Sequence, residues 1–438
     1  MTRHIAIVGA GWAGCAAAVE LVDKGHRVTL FEAARTLGGR ARKVDVNSGT
    51  LDNGQHILLG AYTETLRLMR RVGIDLPSAL LRLPLQMRFP NNTGMDFVTA
   101  KLPAPLNLLV GLLRTKGLNR SDKQALIHFS LAARKIGWTL DADRTVTTLL
   151  QELSQTDRLV ALMWRPLCLA ALNTPPEQAS AQVFLNVLKD SLGADRASSD
   201  MLLPRQDLTA LFPQQAMRYV MDHGGTVRTG MRVAVIDHKA SRWQLSTQND
   251  AANKVEFDQV VVATDVRNAT TLLAPLRIET PMPAVSFQPI TTCYLQYADT
   301  CKLDAVFYAL IDDSQSAHWG QFVFDRGQMT IEQKGLFAVV ISASTQAQIL
   351  SHSELSNAIA RQLATVFSRP ELASPLWTKI ITEKNATFSC VPSLHRPENQ
   401  TAFPGLVLAG DYTESRYPAT LEAAVRSGVA AAQLLSNC

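Results

Sequence analysis

Gly9, Gly11 and Gly14 stand between the apolar run Ile5-Ala6-Ile7-Val8 and an alanine-rich stretch that includes Ala16, Ala17 and Ala18. Their spacing suits one chemistry, the holding of a pyrophosphate. The first glycine makes a tight turn, the second lets backbone approach the phosphates, and the third lets a helix pack close to the preceding strand. Trp12 and Ala13 open that helix, where unpaired N–H groups and the helix dipole attract negative charge. Glu32 closes the next predicted strand, Arg27 to Phe31, placed to accept hydrogen bonds from a ribose diol. The full set predicts a bound adenine dinucleotide rather than an empty glycine-rich turn.

Two further stretches point to which dinucleotide. Gly38-Gly39-Arg40 follows Glu32 closely, and near the other end Gly405 to Asp411 reads as a strand finishing in Gly410-Asp411. Such an ending presents a carboxylate and a backbone N–H to the ribityl chain of a flavin. Thr420 and Leu421 begin a predicted helix whose N-terminus faces the flavin pyrimidine, where negative charge develops on reduction. NAD enzymes rarely need this second site, so FAD is the expected cofactor.

These stretches resemble the amine oxidase/phytoene desaturase superfamily of flavoproteins. Within it, Leu51-Asp52-Asn53-Gly54-Gln55-His56-Ile57-Leu58-Leu59-Gly60-Ala61-Tyr62, Trp164-Arg165-Pro166-Leu167-Cys168, Ala171-Leu172-Asn173-Thr174-Pro175 and Asp411-Tyr412-Thr413 with Tyr417 to Glu422 resemble the hydroxysqualene dehydroxylases of bacterial hopanoid synthesis. The resemblance runs nearly end to end. It implies an FAD-dependent oxidoreductase acting on hydroxysqualene and releasing squalene, with prenyl synthases and a membrane surface as partners and no nucleic acid. It also implies that the backbone of Val233 meets the adenine.

Composition sets bounds on the rest. A chain of 438 residues exceeds one core of typical size and predicts two domains. With 47% hydrophobic and 18% charged residues it is a folded protein with a large apolar interior or an apolar ligand, not a disordered one. The net charge of +5 reads as spread along the chain, without a nucleic-acid-type basic block. Six cysteines, Cys15, Cys168, Cys293, Cys301, Cys390 and Cys438, lack metal-ligand spacing and predict reduced thiols in a cytoplasm. Cys390 as a covalent flavin link is weighed against a buried structural thiol, and the latter is expected. A first strand beginning by Ile5 leaves no room for a targeting peptide. The apolar run 102–113 is shorter than the roughly 18 residues needed to span a bilayer. Flanked by Lys101, Arg114, Lys116 and Arg120, it is either an interfacial helix at the inner face of the cytoplasmic membrane or an ordinary core helix.

The expected fold class is α/β: a Rossmann-like FAD-binding domain built from discontinuous segments, plus an α+β substrate domain with an antiparallel sheet and a helical cap. The cofactor domain takes residues 1–75, 205–270 and 396–438. Residues 76–204 read as the helical cap, interrupted by Pro166 and Pro175-Pro176, and 271–395 as the substrate sheet. Within 205–270, Leu211 to Asp222 reads as a helix. Residues 225–228, 232–236 and 257–264 read as strands.

A C30 isoprenoid alcohol offers almost nothing polar, so its site must be a long apolar tunnel with few polar groups. Its allylic hydroxyl leaves as water only once protonated, which calls for one acid and a dry cavity. Asp52 and His56 are the candidates for that polar end; alternatively Asp52-Asn53-Gly54 builds a turn and His56 orients the loop. Arg165 and Arg205 line the site or pair with carboxylates. A carotenoid-type desaturase shares the tunnel. An amine oxidase is disfavoured because that group usually carries a tyrosine two residues before the glutamate matching Glu422, where this chain has Thr420. A prenyl-lipid carrier similar to GDP-dissociation inhibitors is disfavoured by the intact glycine set and Glu32.

Overall fold

The computed structural model describes residues 2–47, 49–192, 195–248, 250–276 and 285–437. Five parallel strands form one sheet in the order Thr226–Thr229, Arg27–Glu32, His4–Val8, Gln259–Val262, Leu406–Leu408. Three separated stretches of chain therefore meet in it. Its central strands are continuous apolar runs because both faces are covered: Ile5, Ala6, Ile7 and Val260 to Val262 are fully buried. On one face lie helices Trp12–Asp23, Pro213–Asp222 and Leu421–Ser436. At Gly428 a Cβ would lie 2.1 Å from the Ala13 carbonyl oxygen, so only glycine permits that helix crossing. On the other face Phe31 and Val260 pack with Trp243, Leu245 and Phe257. These come from a three-stranded antiparallel sheet of Val233–Lys239, Arg242–Thr247 and Asp250–Phe257.

A second five-stranded sheet, antiparallel, runs in the order Phe307–Ala309, Phe322–Asp325, Leu336–Ser342, Phe287–Gln296, Trp377–Phe388. Side chains alternate between its faces, as the pleat demands. Cys293, Leu295, Val339 and Ile341 pack toward helix His352–Phe367. Tyr294, Leu336, Ala338 and Val340 pack the opposite way, against Phe89, Met95, Leu162 and Leu203 of the cap.

The cap differs from the expected helical stretch. Strands Leu80–Leu83, Gln86–Arg88 and Asp96–Val98 precede its first long helix, and Met201–Pro204 pairs with both Leu58–Leu59 and Leu80–Leu83. Pro84 and Pro90 remove the N–H groups and crowd the turns that a helix needs, so this leucine-rich sequence extends instead. Helices follow at Leu106–Arg114, Arg120–Lys135, Val146–Glu152 and Ala181–Leu192. Pro166 does not interrupt its helix either. The turn before it, Val160–Trp164, widens to π geometry, and Pro166 sits in the opening turn of Arg165–Leu172, where a missing N–H costs little. The expected helix from Leu211 to Asp222 is two, Leu208–Leu211 and Pro213–Asp222, separated at Phe212 by non-helical backbone.

Among the described residues no helix is long and apolar enough to cross a membrane. Cys15, Cys168, Cys293, Cys301 and Cys390 are free thiols; Cys438 lies outside the described residues.

Candidate active site

The glycine turn is built for close approach. Gly9 takes φ +109°, a conformation L side chains rarely adopt, and a Cβ on it would lie 2.6 Å from the Ala263 carbonyl oxygen. A Cβ on Gly14 would lie 1.9 Å from the Gly9 oxygen, so Gly14 seats the helix on the strand end. Gly11 is different: the nearest atom to a Cβ there is Gly39 Cα at 4.0 Å, and a Cβ on Gly39 would come within 3.2 Å of Gly11 Cα. Two side-chain-free residues thus face each other across a narrow cleft. No side chain caps the start of helix Trp12–Asp23, whose first-turn N–H groups open there. The Trp12 indole is buried and donates to the Ala41 carbonyl (3.2 Å), so it pins the Gly38–Ala41 loop, leaving only its backbone and that of Ala13 for the cleft. Glu32 accepts from the Ala10 N–H (2.7 Å) and the Ala34 N–H (2.8 Å), which holds its carboxylate at the cleft's end. Met231 N–H donates to the Glu32 carbonyl, bringing the strand of Val233 alongside.

At the far end Arg40 donates to Asp411 (2.6 Å) and to the Ala386 carbonyl (2.9 Å). Burial alone would lower the Arg40 pKa, but the Asp411 carboxylate outweighs it and holds the guanidinium firmly charged. Gly410 spends its N–H on the Ser427 hydroxyl (2.9 Å), because helix Leu421–Ser436 lies so close; the polar group facing the cleft from this turn is Asp411. Thr420 caps the helix by accepting from Ala423 N–H (3.2 Å), and Leu421 is its first residue. Asn53 donates to the Arg40 carbonyl and to Glu383, both at 3.0 Å, which joins the loop after Asp52 to the cleft and to the antiparallel sheet. FAD fits this set on two structural counts: the Gly11–Gly39 gap is a cradle that a methyl group would fill, and the Tyr412 hydroxyl is buried without a partner beside Asp411.

Asp52 and His56 are held by one network but face apart. Asp52 is 3% exposed; its Oδ1 accepts from Leu208 N–H (2.8 Å) and its Oδ2 lies 3.7 Å from buried Arg326. Burial pushes its carboxyl up to about 6, although Arg326 and the Leu208 N–H pull the other way. It borders a polar cavity of about 370 Å³ with Arg205, Asp207, Gln296, Arg326 and Glu332. Arg326 also donates to Gln55 (2.7 Å), and Gln55 donates to the His56 carbonyl (3.2 Å). The His56 ring instead turns to the Gly54 carbonyl (2.9 Å), and burial lowers its pKa. A Cβ on Gly54 would lie 3.7 Å from His56 Cε1 and 3.8 Å from Thr292 Oγ1, so the ring and that hydroxyl flank Gly54. Thr292 is buried on the sheet floor and its hydroxyl has no partner. Arg165 pairs with Glu177 (3.6 Å) and Asp312 (3.5 Å), whereas Arg205 borders the polar cavity.

Leu83, Met87, Phe97, Met163, Ile290 and Ile381, from the cap and the antiparallel sheet, are half-buried and pack on one apolar cluster, an apolar layer between the two. The roles of several residues that organise the site escaped sequence reasoning. Glu422, 1% exposed, accepts from Glu64 N–H (3.1 Å), Thr65 N–H (2.9 Å), the Thr65 hydroxyl (2.7 Å) and Arg426 (2.7 Å). One carboxylate thereby caps helix Thr63–Arg71 from across the fold. Arg326, Thr292 and Glu383 carry no local signal at all. Asn173, in a left-handed helix cap, joins the sheet to the cap through Gln288, Ala343 and Thr387; its place in a motif block was the available hint.

The family model described as flavin-containing amine oxidoreductase matches residues 12–436. The chain is similar to the hydroxysqualene dehydroxylase of Sinorhizobium fredii, 27% identical over 99% of this chain and 98% of that protein. It is also similar to the zeta-carotene desaturase of Zea mays, 24% identical over 97% of this chain and 82% of that protein. Among solved structures, a putrescine oxidase bound to putrescine superposes with a TM-score of 0.70 at 16% identity, over 99% of this chain and 98% of that one. That likeness concerns the fold.

Proposed function

Because the chain belongs to the flavin-containing amine oxidoreductase family and is an FAD-dependent oxidoreductase, we propose that it removes the hydroxyl of hydroxysqualene reductively, giving squalene for hopanoid synthesis. The observation that carries this reading is the end-to-end similarity to hydroxysqualene dehydroxylase, 27% over nearly all of both chains. The apolar layer between sheet and cap and Thr420, where an amine-caging tyrosine usually stands in amine oxidases, support it.

In that reaction the substrate C–O bond breaks, the protonated hydroxyl leaves as water, and one hydride forms a C–H bond at the same carbon. Bound FAD, first reduced to FADH2 by a two-electron donor, would supply that hydride and return to FAD. In this proposal Gly9, Gly11, Trp12, Ala13 and Gly14 hold the pyrophosphate through backbone, Glu32 the ribose, and Val233 the adenine. Gly39 and Arg40 line the middle of the cleft, while Asp411, Thr420 and Leu421 hold the ribityl and pyrimidine end and Gly410, its N–H taken by Ser427, seats Asp411 there. His56, beside the unpartnered Thr292 hydroxyl, faces the leaving group and holds the proton there. Asp52 acts through Arg326 and Gln55 to set that loop and its protonation. The apolar layer excludes water, which protects the allylic cation from recapture. The same reading has a prenyl synthase supplying the substrate, and the enzyme working in the cytoplasm at the inner membrane face.

A carotenoid-type desaturase is the second reading, favoured by the similarity to zeta-carotene desaturase. Anaerobic incubation of photoreduced enzyme with detergent-solubilised hydroxysqualene separates the two. Squalene as product supports the dehydroxylase. No product from reduced enzyme, with desaturation of a polyene by oxidised enzyme, refutes it.

A further inference from the structure

The net charge is concentrated in one part of the cap, contrary to the even spread read from composition. Residues 101–136 carry seven Lys and Arg against one Asp, a net of +6, where the whole chain carries +5. The acid, Asp122, is 1% exposed, locked in a capping box with Asn119, and accepts from the Thr156 hydroxyl. Lys101, Arg114, Lys116, Arg120, Arg134 and Lys135 are exposed, and among the described residues none of them is ion-paired.

The same stretch exposes most of the stray apolar surface. Of the fourteen large apolar side chains exposed by more than a third among the described residues, eight lie between Val98 and Ile136. Leu106, Leu109 and Leu113 share one face of helix Leu106–Arg114, at 51%, 45% and 63% exposure, while Asn107, Gly111 and Leu112 face inward. Lys123 donates to the Leu113 carbonyl (3.0 Å), which sets the start of helix Arg120–Lys135 against this one. Ile127 and Leu131, exposed as well, continue from Lys123 at helical spacing.

We propose that this face docks on an anionic lipid bilayer, with the leucines and Ile127 entering the acyl boundary and the lysines and arginines meeting phosphate headgroups. A helix this short lies in the interface and does not span. Charge complementarity selects the occupant: a second copy would set +6 against +6, whereas an anionic leaflet attracts every one of those cations. The inward side of the helix connects the face to the interior. A Cβ on Gly111 would lie 3.1 Å from Phe97, and Phe97 belongs to the apolar layer between sheet and cap. Resting on the proposed substrate, the docked helix brings that layer next to the lipid, so that an isoprenoid alcohol enters without crossing water.

The test uses holoenzyme without substrate, sedimented with phosphatidylcholine vesicles and with vesicles containing phosphatidylglycerol. Binding is expected on the anionic vesicles, weakened by about 0.5 M salt. It should fall about tenfold or more in L109E/L113E and in K116E/R120E, with FAD content and circular dichroism unchanged. Equal binding to both vesicle types, or binding retained by L109E/L113E, overturns the proposal. A wild-type dimer broken by L113E, with no vesicle binding, overturns it in favour of a second copy. Turnover of hydroxysqualene in detergent micelles is read separately. If it is absent while vesicle binding behaves as stated, the substrate reading falls and the docking face stands.

Discussion

Replacing Gly11 by alanine and, separately, Gly14 by alanine tests the cofactor cleft, because the structure gives the two methyl groups opposite surroundings. At Gly11 the backbone is extended (φ −71°, ψ 177°), which alanine adopts freely, and the nearest atom to the new Cβ is Gly39 Cα at 4.0 Å. Without cofactor the Gly11→Ala protein should be more stable by about 0.4–1 kcal/mol, since the unfolded chain loses freedom that the folded chain never used. With cofactor the methyl stands in the gap that the pyrophosphate needs. Losing one charge-assisted N–H contact there costs roughly 1.5–3 kcal/mol, a rise in the FAD dissociation constant of roughly 10- to 150-fold. At Gly14 the new Cβ would sit 1.9 Å from the Gly9 carbonyl oxygen, so the helix start must move by about 1 Å or more, at a cost of roughly 1–3 kcal/mol or higher. The assay is thermal melting of both deflavinated variants beside flavin-fluorescence titration with FAD. Gly11→Ala should melt at or above wild type and bind FAD weakly; Gly14→Ala should melt below it. Wild-type FAD affinity in Gly11→Ala would refute the placement of the pyrophosphate, and a melting loss in Gly11→Ala as large as in Gly14→Ala would refute the reasoning from space.

Asp52→Asn should change how stability depends on pH. The folded-state pKa of Asp52 is raised from 3.8 to about 6, so its contribution is fully present below about pH 4 and is lost as pH rises through 6; two units correspond to about 3 kcal/mol. The variant should therefore gain on wild type between pH 4.5 and 7.5 in melting experiments, and a flat difference sinks the argument. If Asp52 sets the protonation of the His56 loop, the same variant should also shift the acid limb of the pH–rate profile and slow turnover about 10²-fold with FAD retained. Glu422→Ala strips the cap from helix Thr63–Arg71, while Arg426, partly exposed, stays solvated, so the cost is about 1–3 kcal/mol; chemical denaturation showing a loss below about 0.5 kcal/mol would contradict that role. Acid precipitation should release all flavin into solution: Cys390 is 3% exposed, its N–H donates to Thr174, and burial pushes its thiol up to about 12. Colour kept in the pellet would point to a covalent link.

The sequence by itself determined those parts whose physics is local. Gly9, Gly11 and Gly14 announce a phosphate turn because turn geometry and helix packing act over a few residues, and continuous apolar runs announce the parallel sheet as alternating ones announce the antiparallel sheet. Prolines misled in both directions: Pro84 and Pro90 break into strands a leucine-rich stretch that reads as helical, whereas Pro166, which reads as an interruption, sits inside a helical run because the turn before it widens. What only the tertiary structure decided are contacts between distant segments. Glu422 caps a helix more than 350 residues earlier in the chain. Arg326 ties Asp52 to Gln55, and Thr292 brings a buried, unpartnered hydroxyl beside His56. A charge or hydroxyl has no preferred partner until the chain closes and burial removes water as the alternative, so these pairings leave no pattern along the sequence.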